Sequence, residues 1–391
     1  MNAYEKKILE KADRRLPNLI IFLVTVMGLL IRFSLLEVVS GDAEAFLLPW
    51  HDIIRNNGLY EQVGDYNLLY QFLIWVMTKV PIPPLYAYKT LSCLGDLLLA
   101  CSSALFVRQL SLSDNKLWNG VWAYTAVFLS PAVFLNSAAW AQCDSLYTAF
   151  AILGLYTLEK EQYNRSMILL GISFAFKLQA IFILPVYLFC YYSRRKFSII
   201  RFGLVPISMV AVTLPLLFWG RNLLDTFGIY FRQTSTWPGM AHNYPSFWNL
   251  LCKRVHEEQY LNMRFAALLF TVCVLAVMML IWLQKKRETS GTDLLLLAFL
   301  LTYTCVLFLP SMHERYRYLY EIFAIFIAIL IPRTIPHCIA LLLIGLHAYS
   351  AFLFDVSVDF TLLAFANIGV YFAYVYAILG DNRCRKSDAH S

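Results

Sequence analysis

Windows of about 20 apolar residues, the length a helix needs to cross a bilayer, recur along this chain at 17–39, 85–107, 117–136, 202–219, 263–283, 294–309, 318–331, 339–354 and 360–379. In lipid the backbone must satisfy its own polar groups, so windows of this length become helices packed into a bundle. Three further stretches, 66–80, 143–158 and 166–192, are too short or too interrupted for plain spans, the last being broken by Lys177 and Gln179. Broken spans are tolerated only where the chain lines a cavity or is buried in protein. The pattern predicts an all-α, polytopic membrane protein of about twelve transmembrane helices with both ends on one side. No repeat, linker or low-complexity stretch marks a boundary, so residues 1–391 read as one domain, with 16–219 as the catalytic module and 220–391 as C-terminal helices.

Composition agrees. Hydrophobic residues make up 60% of the 391 and charged residues 15%, against roughly 25% charged in an average soluble chain, and mean hydropathy is +0.60. The net charge of +7, from 32 basic and 25 acidic residues, could suggest a nucleic-acid partner, but the basic residues fall in short clusters between apolar runs. Lys6, Lys7, Lys11, Arg14 and Arg15 precede the first run; Arg194, Arg195, Lys196 and Arg201 precede the 202–219 run; Lys285, Lys286 and Arg287 follow the 263–283 run; Arg383, Arg385 and Lys386 lie near the last residue. Such clusters mark cytoplasmic loops. Nine cysteines, an odd number at no metal-like spacing, indicate neither a disulfide framework nor a zinc site. The basic start and long first apolar run, without a small-residue cleavage site, read as a retained span.

Alternation then places the loop 40–65, the loop from 220 to about 260 and the turn 311–316 on the outer face. Asp144 falls outside if 66–80 packs as a juxtamembrane or re-entrant helix, and inside if 66–80 spans. The first arrangement is preferred, because Lys177 and Gln179 then sit at the top of a helical hairpin.

Several polar groups stand out against this background. Asp42 and Glu44, in Ser40-Gly41-Asp42-Ala43-Glu44, follow the first span, where a membrane enzyme would place a carboxylate base. Acids at i and i+2 do not share a helix face, so they converge only if the chain is non-helical there; an acidic helix N-terminus favoured by the dipole fits equally. The rest of that loop, to Gly58, is amphipathic, with Phe46, Leu47, Ile53 and Ile54 on lipid and Asn56-Asn57-Gly58 as a stop. Asp144, in Gln142-Cys143-Asp144-Ser145, opens another apolar run as a second site acid or as an N-cap. Lys177 and Gln179 lie inside an apolar stretch, where a lysine costs roughly 2.5 to 3.5 kcal/mol on insertion scales unless it snorkels to headgroups. Lys89 and Asp96 are seven residues apart on one helix face, and a rise of about 10 Å argues against a direct pair. His313, Glu314, Arg315 and Tyr316 lie at an outer boundary, as phosphate donors or as an interfacial anchor. Trp237, Asn243 and Trp248 in the third outer loop suit sugar stacking and bonding, or an aromatic belt.

As a set, the acid after span one, the Gln-Cys-Asp, the Lys-x-Gln in a broken span and the late His-Glu-Arg-Tyr resemble the GT-C superfamily of polyprenyl-phosphate-sugar-dependent glycosyltransferases. The likeness is nearest to the bacterial relatives of GPI mannosyltransferases and to the glucosyltransferases of lipid-linked oligosaccharide assembly. The resemblance implies a GT-C-like bundle with Asp42 as catalytic acid, Glu44 completing an Asp-x-Glu pattern, Asp144 as a second acid, Lys177 and Gln179 at the donor site, and His313, Glu314, Arg315 and Tyr316 on the donor's sugar or phosphate. No large outer domain is present to recognise an acceptor. The expected activity is inverting transfer of a hexose, as by a mannosyl- or glucosyltransferase, from undecaprenyl phosphate to a lipid-linked or cell-wall glycan at the outer face of a bacterial plasma membrane. The carboxylates could hold a divalent cation such as Mg or Mn, and also suffice without one. The alternatives are a transporter or flippase of lipid-linked saccharides, which would favour paired broken helices in inverted repeats, and a glycan polymerase.

Overall fold

The computed structural model describes residues 3–380 apart from 61, 65, 113–114, 218, 234–237 and 253–256. The C-terminal basic cluster and Trp237 therefore lie outside the described residues, as do the side chains of Lys6, Lys7, Lys11 and Arg14. Among the described residues the fold is helical, without a strand. In order, α1 (Ala3–Ser34), α2 (Leu48–Asn57), α3 (Leu68–Met77), α4 (Pro84–Leu110), α5 (Lys116–Phe128) and the short α6 (Pro131–Phe134) lead to α7 (Asp144–Glu159), α8 (Tyr163–Phe176) and α9 (Leu184–Arg194). Then come α10 (Leu204–Leu217), α11 (Leu223–Arg232), the short α12 (Trp248–Leu251), α13 (Glu257–Gln284), α14 (Gly291–Phe308), α15 (Tyr318–Leu330), α16 (Ile335–Leu353) and α17 (Phe360–Val375).

Among the described residues six helices are long and apolar enough to cross a membrane, seven if the pair 116–128 and 131–139, bent by 46°, counts as one. The bend falls at Pro131, which removes a backbone donor and starts a new helix. The expected count of about twelve is not reached on length and hydropathy. Two other expected spans are helices all the same, but short: α10 and α15 have 14 and 13 residues, while α3, in the stretch preferred as a juxtamembrane or re-entrant helix, has 10. The stretch 166–192 is not one helix; α8 stops at Phe176 and α9 starts at Leu184, with a 3₁₀ segment between.

The amphipathic first loop contains α2, which ends at Asn57 before Gly58, whose φ of 68° favours glycine. Two of the four side chains expected on lipid do not face it. Phe46 and Ile53 are exposed, whereas Leu47 and Ile54 are buried in the core, because the helix lies against α3 and α4.

The helices α7, α8 and α9 run back and forth between two ends of the bundle. At one end Arg194 donates to Leu158 O at 3.0 Å and pairs with Glu159 at 3.2 Å, Lys196 pairs with Glu161 at 2.5 Å, and Glu159 accepts from Gly291 N at 2.8 Å. Asp144 and Lys177 lie at the other end.

Buried charges tie these elements together. Arg32 of α1 donates to Asp96 of α4 at 2.8 Å, and Asp96 also accepts from Ser137 and Ser145. Lys89 does not pair with Asp96. Its Nζ reaches the carbonyls of Leu35, Leu36 and Val38 at 2.7, 2.9 and 2.6 Å, satisfying acceptors left over past the end of α1. Breaking a fully buried pair by removing one partner destabilises by about 3 to 5 kcal/mol, whereas a matched apolar replacement is often neutral. Asp96→Ala should therefore lower the melting temperature in detergent sharply, with Arg32→Met/Asp96→Leu closer to wild type; an unchanged melt for Asp96→Ala would contradict this role.

Candidate functional site

Asp42 has helical angles, φ −63° and ψ −38°, and opens a π-turn over Ala43–Leu47. Ser40 fixes that start: its Oγ accepts from Ala43 N at 3.2 Å and donates to Trp140 O at 3.1 Å, joining the first loop to the segment before α7. The Asp42 Oδ2 atom accepts from Trp140 Nε1 at 2.9 Å and from Gln142 Nε2 at 3.1 Å, and Arg315 Nη2 lies 3.5 Å away. Glu44 does not join it. The local backbone is helical, so side chains at i and i+2 diverge, and Glu44 is exposed.

Asp144 is fully buried, yet it is not a cap. It is the first residue of α7 rather than the residue before it, and its two oxygens are occupied by Lys177 Nζ at 2.6 Å and Asn136 Nδ2 at 2.9 Å. Lys177 reaches it because the chain between α8 and the 3₁₀ segment is extended there, with φ −156° and ψ 138°. That extension turns the ammonium inward, 5.9 Å from the Tyr66 ring, instead of letting it snorkel. A helix continuing through Lys177 would forgo this pair; the sequence interruption marks a break made for a charge.

The turn between α14 and α15 carries the late motif. Arg315 donates Nη1 to Gln142 Oε1 and lies with its guanidinium 5.3 Å from the Trp140 ring. Arg317 anchors the turn from behind: it donates Nε to Glu314 O at 2.7 Å, pairs with Glu321, and covers the Tyr349 ring at 4.2 Å. Gly345 of α16 makes the room, since a Cβ there would lie 1.1 Å from Arg317 Nη1. Glu314 is buried beside Arg315, with Oε1 3.7 Å from its Nε, and burial pushes its carboxyl above the usual range. His313 stacks on His242 with centroids 4.6 Å apart, and burial, with His242, Arg315 and Lys177 nearby, lowers it to about 3.

A cavity of about 620 Å³ opens between these groups. Its polar lining includes Lys177, Gln179, His313, Arg315, Tyr316 and, from α13, Arg264, and its apolar lining includes Ile181, Leu184, Leu188 and Leu268. Asp42 is not part of that lining; it lies behind Arg315, 3.5 Å from its Nη2. Of the two described acceptor candidates neither lines the cavity: Asn243 is exposed, and Trp248 is taken up by packing, its Nε1 donating to Phe308 O at 2.7 Å and its ring lying against Phe247 and Phe270. Among the described residues no group of three or more His, Cys, Asp or Glu side chains is placed to hold a metal ion.

Residues 66–310, well over half the chain, match the model of glycosyltransferase family 87. The chain belongs to glycosyltransferase family 87. This is a GT-C-type family, and no curated protein matches the chain. In this family 87 glycosyltransferase Asp144, Lys177 and Gln179 fall inside the matched region, whereas Asp42 precedes it and the 313–316 motif follows it. Sequence reasoning missed Trp140 and Gln142 as partners of Asp42, and Asn136 as a partner of Asp144. Asn136 carried a signal, an amide at the end of an apolar run; the reach of Trp140 and Gln142 to a residue a hundred positions earlier carried none.

The lowered His313 has a consequence for stability. Between its ordinary value of 6.5 and about 3, the unfolded chain binds a proton that the folded protein refuses, so stability falls as pH drops through that window. His313→Gln should flatten the acid side of the melting-temperature profile between pH 6.5 and 4; an identical slope in both proteins would contradict the burial argument.

Proposed function

We propose that this family 87 glycosyltransferase moves a hexose from a polyprenyl-phosphate donor to a hydroxyl of a lipid-linked or wall glycan, with inversion, at the outer face of a bacterial cytoplasmic membrane. The observation that carries the reading is one cavity lined both by cations, Lys177, Arg264 and Arg315, and by apolar side chains, with the Asp42 carboxylate 3.5 Å behind Arg315. That combination suits a phosphate joined to an isoprenoid chain. Ile181, Leu188 and Leu268 line the cavity and are also 43%, 45% and 39% exposed, so a tail can leave sideways into lipid. The basic residues Arg194 and Lys196 lie at the opposite end of the bundle, which favours placing the cavity on the outer side.

In the reaction, Asp42 takes the proton of the acceptor hydroxyl as its oxygen attacks the anomeric carbon opposite the phosphate. The bond from that carbon to the phosphate oxygen breaks, and the phosphate leaves with one added negative charge. Lys177 and Arg315 stabilise that charge as it develops. Asp144 orients Lys177, while Gln179, His313 and Tyr316 contact the donor's head group. Glu314 stays beside Arg315 and helps aim it. Glu44, exposed two residues after Asp42, meets the acceptor.

A positioned base contributes about 10²- to 10⁴-fold. Reconstituted Asp42→Asn, at normal membrane level and supplied with labelled polyprenyl-phosphate hexose and acceptor, should lose at least that much transfer. Near wild-type transfer would overturn the base assignment, and label crossing the bilayer without product would point to a flippase.

A further inference from the structure

Gln142 touches both ends of the proposed reaction, and its amide can be oriented in one way only. Its Oε1 accepts the Tyr66 hydroxyl at 2.6 Å and Arg315 Nη1, so its Nε2 is the atom facing Asp42 Oδ2, at 3.1 Å. Trp140 Nε1 donates to the same oxygen at 2.9 Å, and Arg315 Nη2 approaches it at 3.5 Å. Among the described residues, every contact of the Asp42 side chain falls on Oδ2, which leaves Oδ1 as the oxygen open to an incoming hydroxyl.

The local backbone is bent to make this possible. Ala141, between the two donors, is buried and has a φ of 63°, a left-handed conformation that costs a non-glycine residue of order 1 to 3 kcal/mol. The surroundings enforce it: the Trp140 ring stacks on Phe352 at 4.5 Å and meets Tyr349 edge-on at 5.1 Å. With Trp140 locked and the left-handed residue following it, Gln142 is returned toward the same carboxylate. Only 1% of Gln142 is exposed, so water does not compete for its amide.

We propose that Gln142 is a positioning residue for the transfer reaction: by binding Asp42 Oδ2 and Arg315 together, it presents Oδ1 to the acceptor and fixes the base relative to the phosphate-binding guanidinium. The proposal rests on Asp42 being the base, and the test separates the two. Gln142→Glu keeps the side-chain length and both acceptor contacts, but puts an oxygen where Nε2 met Asp42.

A misplacement of about 1 Å in such a site costs about 10²-fold. The variant should lose that much kcat with its KM for the lipid donor unchanged and a wild-type melt. Built into Asp42→Asn, it should cause no further loss, because residues acting through one another are not additive. An equal loss in both backgrounds, a change in KM alone, or full activity would each overturn the proposal while leaving the base assignment intact. Near wild-type activity of Asp42→Asn alone would instead remove the base assignment, and the proposal with it. If Gln142→Glu is not recovered folded, Trp140→Phe removes the other donor to Oδ2 while keeping a ring; it should give a kcat loss of about tenfold that vanishes in the Asp42→Asn background, and its persistence there would overturn the proposal.

Discussion

Charges withdrawn from water must be matched where they come to rest, and three such matches organise this bundle. An unpaired ion in a dry interior costs several kcal/mol, so Arg32 with Asp96, Lys177 with Asp144, and Arg317 with Glu321 each fix the segments that carry them. The first holds α1 on α4 and, through Ser137 and Ser145, reaches the start of α7. The second ends α8 at Phe176 and goes with an extended backbone at Lys177. The third holds the 309–317 turn so that Arg315 faces Trp140 and Gln142. The site is therefore a by-product of satisfying buried charge, arranged so that some cations keep a side toward the cavity.

That arrangement divides labour among residues of the same chemical type. Asp96 is saturated by Arg32, Ser137 and Ser145, and Glu321 is held through Oε1 by Arg317; both serve the fold. Asp144 is saturated too, but by a lysine that lines the cavity. Asp42 differs from all three in exposure: its side chain is 17% accessible, against 0 to 2% for the others, and its partners meet it on Oδ2. Family membership supplies the reaction class, glycosyl transfer, and this difference between the carboxylates is what supports the proposal of Asp42 as the base.

Much of this was legible in the residues. Apolar windows and basic clusters carried the membrane class, and a Lys-x-Gln in an apolar run carried the break at 177. The positions legible were those where a polar group violates its surroundings, because the cost of that violation is local. The span count was less legible: α3 and α15 read as apolar stretches, but their lengths are set by where neighbours bury them. Pairings across the chain were not legible at all. That Lys89 would cap α1, or that Trp140 and Gln142 would meet Asp42, depends on tertiary approach and on one left-handed alanine, which no local pattern announces. Trp248 shows the reverse error: its composition suited a sugar platform, but packing claimed it.

The most direct test of the central claim, that the cavity beside Asp42 receives the lipid-phosphate sugar, is a structure of the protein in lipid nanodiscs with a polyprenyl-phosphate hexose bound. The phosphate is expected between Lys177 and Arg315, with the anomeric carbon toward Asp42 Oδ1 and the isoprenoid tail leaving past Leu188 and Leu268. A head group seated at the Arg194 and Lys196 end, or one whose phosphate touches neither Lys177 nor Arg315, would contradict it.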